Sequence, residues 1–162
     1  MKLKKTLFSL LLVFIALDQL SKRWAESQLP FQEPVSVLPM FSLYRTHNTG
    51  IAFSMLDWAG SGGLIILTMA IIGLMIFLWL KVEAHKQLAH LGFAMVISGA
   101  VGNLIDRVTQ GHVIDFFLLH TENWAFAVFN VADAFITVGA IAIIIDELLS
   151  LRGQKISAPP KQ

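Results

Sequence analysis

Between Gly99 and Asp133 the chain reads GAVGNLIDRVTQGHVIDFFLLHTENWAFAVFNVAD, gathering Asn103, Asp106, Arg107, Asp115, Asn130 and Asp133 between two apolar segments. Only 14% of all residues are charged, so this clustering is not scatter. A carboxylate at the bilayer centre costs about 2.5–3.5 kcal/mol on insertion scales, and one kept beside a membrane segment marks a functional site by default. Two such groups held together suit hydrolysis. Close like charges do not both ionise cheaply, so a pair sharing one proton divides into a base for water and an acid for a leaving nitrogen. Asp115 and Asp133 are the candidates. Asp115 stands between Ile114 and Phe116 rather than in a polar loop, and Asp133 lies inside an apolar run. An N-cap or helix-dipole role is the commoner reason for an aspartate near a helix start, and the position of Asp133 inside the run counts against it. Asn103, Asn130 and Arg107 are placed to orient the carboxylates or hold a substrate carbonyl. Asp106, beside Arg107, is assigned to a structural ion pair.

Other chemistries find less support. The chain has no cysteine, which removes disulfides, thiolate catalysis and cysteine-ligated metals. Ser54 and Ser98 lack an evident histidine or lysine base. There is no H-x-x-H pair, and His112 and His120 flank Asp115 without the spacing of ligands on one helical face. No glycine-rich phosphate loop is present, so neither metal nor cofactor is expected. A net charge of +1 with no basic stripe gives no reason to expect nucleic acid.

The elements that must position these residues are apolar helices. Of the 162 residues 56% are hydrophobic, and they fall in long blocks, as in a single-domain multi-span membrane protein. Spans are expected over about 6–24, 62–80, 88–106 and 129–149, with extramembrane segments over about 25–61 and 107–128. The basic start followed by TLFSLLLVFIAL resembles a signal peptide, but Asp18 and Lys22 within or just past the run, and the further apolar blocks, favour a retained span. Asp18 and Lys22 are four residues apart on one helical face, and an interfacial ion pair is the bland reading of them. Pro30, Pro34 and Pro39 exclude helix from the next segment, which shows strand-like runs FSLYRT and IAFSM around the turn Asn48-Thr49-Gly50. A small sheet lying against the membrane is expected there. The 62–80 stretch carries no charge and reads as scaffold. The histidines of KVEAHKQLAH, Lys81–His90, are read as solvated loop residues, and the third span is rich in small residues that permit close helix contact. Gly111 is expected as a turn before the aromatic run, and the basic, proline-containing tail as disordered.

Eight of the 12 basic residues (Lys2, Lys4, Lys5, Lys81, Lys86, Arg152, Lys155 and Lys161) fall on the side of the termini; Lys22, Arg23, Arg45 and Arg107 fall on the other. By the positive-inside rule residues 1–5, 81–87 and 150–162 are cytoplasmic and both termini lie inside. Every unusual polar group then sits at the outer face.

The blocks GNLIDR at Gly102–Arg107, VIDF at Val113–Phe116 and FNVAD at Phe129–Asp133, with DQLSK at Asp18–Lys22 and NTGIAFS at Asn48–Ser54 upstream, resemble the signature blocks of lipoprotein signal peptidase, the bacterial signal peptidase II. The blocks span nearly the whole chain, in order; Ser54 departs from the glycine expected to close its block. The resemblance implies an all-α membrane protein of four transmembrane helices with a small extracytoplasmic β-sheet cradling substrate and a second extracytoplasmic loop or short helix, Thr109–Ala127, acting as a movable flap. It implies an aspartyl endopeptidase of the bacterial inner membrane that cleaves diacylglyceryl-modified prolipoproteins just before the lipidated cysteine. Carried over by motif, Asp115 and Asp133 become the catalytic dyad. Asn48, Gly50, Asn103, Arg107, Asn130 and Ala132 match positions that shape the site or bind substrate, with Asp18 and Lys22 in support. The partners expected are lipidated prolipoproteins and membrane lipids, and a monomer suffices. Two rival classes remain open: a small transporter or proton channel, which needs polar groups through the full membrane depth, and an assembly protein, in which asparagine would serve as well as aspartate.

Overall fold

In the computed structural model, residues 2–50 and 60–157 are described. The run IAFSM, Ser54 within it, and the last five residues of the tail lie outside them. Helix α1, Lys2–Gln28, contains neither glycine nor proline, and it ends where Pro30 removes the next backbone donor. Strands β1, Pro34–Leu38, and β2, Phe41–Asn48, follow as an antiparallel hairpin. Helix α2, Gly60–Leu80, is the chargeless scaffold helix, and its apolar side chains are largely exposed. Helix α3, Gln87–Gln110, stops at Gly111, whose φ of 79° lets its N–H turn back to the Arg107 carbonyl at 3.1 Å. Strand β3, Val113–Leu119, and helix α4, Val131–Ser157, complete the chain.

Helix α3 is the centre of the bundle and packs against all three other helices. Small residues make this possible. A Cβ at Gly92 would overlap the Gly139 carbonyl at 2.6 Å, and one at Gly99 would collide with the Ala132 carbonyl, so α3 and α4 meet nearly backbone to backbone. Among the described residues three helices are long and apolar enough to cross a membrane, over Gly62–Leu80, Gln87–Gln110 and Val131–Arg152. Helix α1 has the length, but Asp18, Lys22 and Arg23 interrupt its apolar run.

The sheet has the order β1-β2-β3, entirely antiparallel. One of its faces lies on the C-terminal end of α1, where Ile114 and Phe116 pack against Ala25 and Leu29. The segment expected as a loop or short helix therefore supplies a strand. VIDFFLL has the β-branched and aromatic character of a half-buried strand, and β2 offers it an edge. In the described part of the tail, α4 continues through Ser157.

Candidate active site

Asp115 is held in register by β2. Thr46 pairs with Asp115 and Asn48 with Val113, so Asn48 and Asp115 are diagonal neighbours on one face of the sheet. Asn48 Nδ2 donates to Asp115 Oδ2 at 2.9 Å. Its Oδ1 accepts the Gly50 N–H at 2.8 Å, closing a local turn that requires the positive φ of Gly50, 84°. After β3 the chain folds back: the Phe116 and Phe117 N–H groups both donate to the Phe129 carbonyl, and the Phe129 N–H returns to that of Phe117. This bridge brings Asn130 beside Asp115, where Asn130 Nδ2 donates to Asp115 Oδ1 at 2.7 Å.

Asp133 is held by the start of α4. Asn130 is the N-cap, accepting the Asp133 N–H on Oδ1 at 3.0 Å, while Asp133 Oδ2 accepts the Asn130 N–H at 3.1 Å. This reciprocal pair is a capping box with aspartate at the third helical position. The capping role that the sequence disfavoured for Asp133 is thus present, alongside a contact into the cluster: Asn103 Nδ2 donates to Asp133 Oδ1 at 2.9 Å. Asn130 touches both carboxylates and is itself fully buried.

Beneath this layer lies a buried ionic cluster. Lys22 is 2% exposed, and its ammonium contacts Asp18 Oδ2 at 2.9 Å, Asp106 Oδ2 at 2.8 Å and Asn103 Oδ1 at 2.8 Å. Gln19 donates to Asp18, to Asp106 at 2.8 Å and to the Gly102 carbonyl. Asp18 Oδ1 accepts the Ala132 N–H at 3.0 Å, tying α1 to the first turn of α4. A Cβ on Gly102 would overlap Asp18 Oδ2, so that glycine makes room for the cluster. The pairing expected between Asp106 and Arg107 is not the one formed. Adjacent residues on a helix point about 100° apart, and Asp106 turns inward to Lys22 while Arg107 reaches back to the Asn103 carbonyl at 3.4 Å. Asp18 and Lys22 form an internal pair rather than an interfacial one.

Burial raises the Asp115 carboxyl from the ordinary 3.8 to about 6. The neighbouring Asp133 charge pushes the same way, opposed by the donors Asn48 and Asn130 and by the Lys22 charge. An ionisable group shifted in this way beside a second carboxylate has the character of a catalytic site. His112 stacks on His47, with ring centroids 3.7 Å apart, and His120 bonds Ser42 Oγ at 2.8 Å, so neither reaches the carboxylates. Among the described residues no group of histidines and carboxylates has the arrangement of a metal site.

All ten residues singled out in the sequence lie in or against this one end of the bundle. Gln19 and Phe129 were missed. Gln19 carried a signal, standing between two chemistry-bearing residues in DQLSK, whereas Phe129 acts through its backbone and carried none.

A family model described as signal peptidase (SPase) II matches residues 10–149. The chain belongs to the signal peptidase II family. The lipoprotein signal peptidases of Brucella ovis and Brucella melitensis biotype 1 are each 49% identical to it over 151 residues, which is 92% of this chain and 94% of theirs. Two solved structures, each described as a bacterial membrane enzyme studied by the in meso method, share the fold. One has a TM-score of 0.80 at 25% identity, covering 97% of this chain and 95% of its own. The other has a TM-score of 0.78 at 26% identity, covering 89% and 93%. Family membership thus extends to the sheet, the return through Phe129 and the capped start of α4, all of which fall within the matched residues.

Proposed function

We propose that this family member is an aspartyl endopeptidase of the bacterial inner membrane, removing signal peptides from diacylglyceryl-modified prolipoproteins by cutting just before the lipidated cysteine. The observation that carries this reading is the bridging of Asp115 and Asp133 by Asn130, with Asp115 raised to about 6. Asp133, which accepts N–H donors on both oxygens, takes the proton from water. The hydroxyl oxygen bonds to the carbonyl carbon before the cysteine. Asp115 holds the second proton, because burial disfavours its charged form, and gives it to the cysteine nitrogen as the C–N bond breaks. Products are a free signal-peptide carboxyl group and a lipidated cysteine with a new amino terminus. Asn103, Asn130 and Asn48 orient the two carboxylates; Arg107 and Gly50 shape the surface that receives the peptide, and the fully buried Ala132 supports the site through its N–H to Asp18. The flap role expected for Thr109–Ala127 does not suit its β3 part, which is paired to β2, packed on α1 and carries Asp115; one chain supplies every group.

The site occupies the end of the bundle opposite the lysine-rich connector, so the positive-inside rule puts it at the extracytoplasmic face, with both termini inside. A diacylglyceryl anchor would hold a substrate cysteine at that depth. The test is cleavage of a diacylglyceryl-modified prolipoprotein by purified protein beside Asp115→Asn and Asp133→Asn, each checked by thermal melting. Loss of at least about a hundredfold is expected in both folded variants, the scale of a general acid or base. Undiminished cleavage in either refutes the dyad. Inactive, folded, unmutated protein would return attention to proton or solute flux.

A further inference from the structure

Directly across the sheet from Asp115 stands Thr46, a residue that the dyad and its asparagines leave unused. The two are paired, so their side chains share one face, with Cβ atoms about 4.5–5.5 Å apart. A bulge puts Thr46 there. Between the Leu43–Phe117 and Thr46–Asp115 pairs, β2 advances by three residues while β3 advances by two. An unbroken ladder from Leu43 would instead set Arg45 opposite Asp115, and a guanidinium there would favour the charged carboxylate. With the extra residue, Arg45 turns to the end of α1, where its Nη1 donates to the Glu26 carbonyl and its guanidinium lies 5.4 Å from the centre of the Phe31 ring. The place opposite Asp115 goes to a neutral hydroxyl. Asp115 takes its donors from Asn48 and Asn130, and among the described residues Thr46 Oγ1 has no hydrogen-bond partner. Thr46 is half-buried and its Oγ1 is not sealed from solvent, so the hydroxyl is open to a substrate.

We infer that Thr46 is a further substrate-contacting residue, whose hydroxyl accepts the N–H of the scissile amide and holds the cysteine nitrogen with its lone pair toward Asp115. This assignment rests on the peptidase reading and adds a residue to it. The nitrogen that Asp115 protonates must come within about 2.6–3.2 Å of that carboxyl, and a nitrogen so placed is also beside the hydroxyl opposite. A planar amide nitrogen has no lone pair free for the acid. It gains one when water has added to the carbonyl carbon, and its N–H and lone pair then diverge. An acceptor fixed on the N–H decides which way the lone pair points. As the proton arrives from Asp115 the nitrogen becomes positive, its N–H becomes a stronger donor, and the contact tightens in the transition state. A threonine hydroxyl can accept such a bond, whereas the arginine that the bulge displaces has donors only.

The experiment compares Thr46→Val and Thr46→Ser with the unmutated full chain in cleavage of a diacylglyceryl prolipopeptide, resolving kcat from KM across the pH range, with melting curves alongside. Valine keeps the branched shape and suits a strand, so the melting temperature of Thr46→Val should not fall. Its kcat is expected to drop about three- to tenfold, the worth of one hydrogen bond, with KM little changed. Thr46→Ser keeps the hydroxyl and should return to within about twofold of the unmutated protein. In all three proteins kcat/KM should fall as pH rises through about 6, because Thr46 bonds neither oxygen of Asp115. Unchanged kcat in Thr46→Val, or no recovery in Thr46→Ser, overturns the assignment. So does a displacement of that pH limb by about one unit in Thr46→Val, since it would mean that Thr46 acts on the carboxyl and not on the substrate. Unmutated protein that is folded and inactive refutes the peptidase reading and this assignment with it, whereas active protein indifferent to Thr46→Val refutes the assignment alone.

Discussion

Replacing Asn48 with alanine removes one donor from the buried Asp115 carboxyl and leaves its surroundings otherwise in place. The lost bond is the 2.9 Å contact from Asn48 Nδ2 to Asp115 Oδ2. It favours the ionised form, and so it opposes the burial that raises this carboxyl to about 6. A hydrogen bond to a charged group is worth about 1.5–3 kcal/mol, and one pH unit corresponds to about 1.36 kcal/mol. Water entering the vacated space returns part of this, so an upward displacement of about one pH unit is expected. If Asp115 must be protonated to serve as the acid, kcat/KM falls as pH rises through about 6 in the unmutated enzyme and through about 7 in the variant. At pH 7 the variant should retain about half of its own low-pH plateau, and the unmutated enzyme about a tenth of its plateau. The assay is cleavage of a diacylglyceryl prolipopeptide at low substrate concentration from pH 5 to 9, with melting curves at each pH. Because the position of the limb is read rather than its height, any effect of Asn48 on substrate binding does not confound it. A limb that stays in place, or moves to lower pH, refutes the assignment of the proton to Asp115.

Asp115 also links stability to pH. Its folded carboxyl is raised above the ordinary 3.8, so the native state binds the proton more tightly between 3.8 and about 6, and the contribution of this group to stability falls as pH rises through that window. Asp115→Asn abolishes the effect: denaturant unfolding should show the variant gaining about 3 kcal/mol on the unmutated protein between pH 3.5 and pH 7.5. Lys22→Met strands the buried carboxylates of Asp18 and Asp106, and should lower stability by about 3–5 kcal/mol, with partial recovery when Asp106→Asn is added. Melting temperatures of the single and double variants decide this. Gly99→Ala drives a methyl group into the Ala132 carbonyl and within 2.8 Å of Ile136. About 1–3 kcal/mol of stability should be lost, and because the displaced turn carries Asp133, kcat should drop in the protein that remains folded. An unchanged kcat would mean that α4 does not need this close approach to place Asp133.

The glycine at 111 announced the end of α3, and its left-handed φ agrees with a turn there. The small residues of the third span announced close contact with another helix, and Gly92 and Gly99 are where α4 comes nearest. Of the connector's histidines, His85 is exposed beside Glu83 as expected, whereas His90, five residues on, is buried against Trp79, because periodicity near a helix start is too short to separate loop from first turn. The capping box at Asn130 and Asp133 was within reach of the sequence, since the spacing N-x-x-D is that of a cap and its third helical residue. It was set aside because the surrounding run is apolar, yet that run is apolar for the membrane and the cap is needed all the same.

What the sequence by itself determined is where the chain is apolar enough to enter a membrane and which polar residues it keeps regardless, because hydropathy and charge are properties of a residue and its near neighbours. On that ground alone it picked out Asp115 and Asp133, the small residues of α3, and one-sided placement of the polar groups. Only the tertiary structure decided how those residues meet. The pairing of β3 with β2 places Asn48 on Asp115, the return through Phe129 carries Asn130 to the same carboxylate, and Asp106 pairs with Lys22 rather than with its chain neighbour Arg107. Each of these contacts joins residues far apart in the chain. Each depends on which partner relieves a buried donor or charge at least cost, and that is settled only when all the elements are packed together.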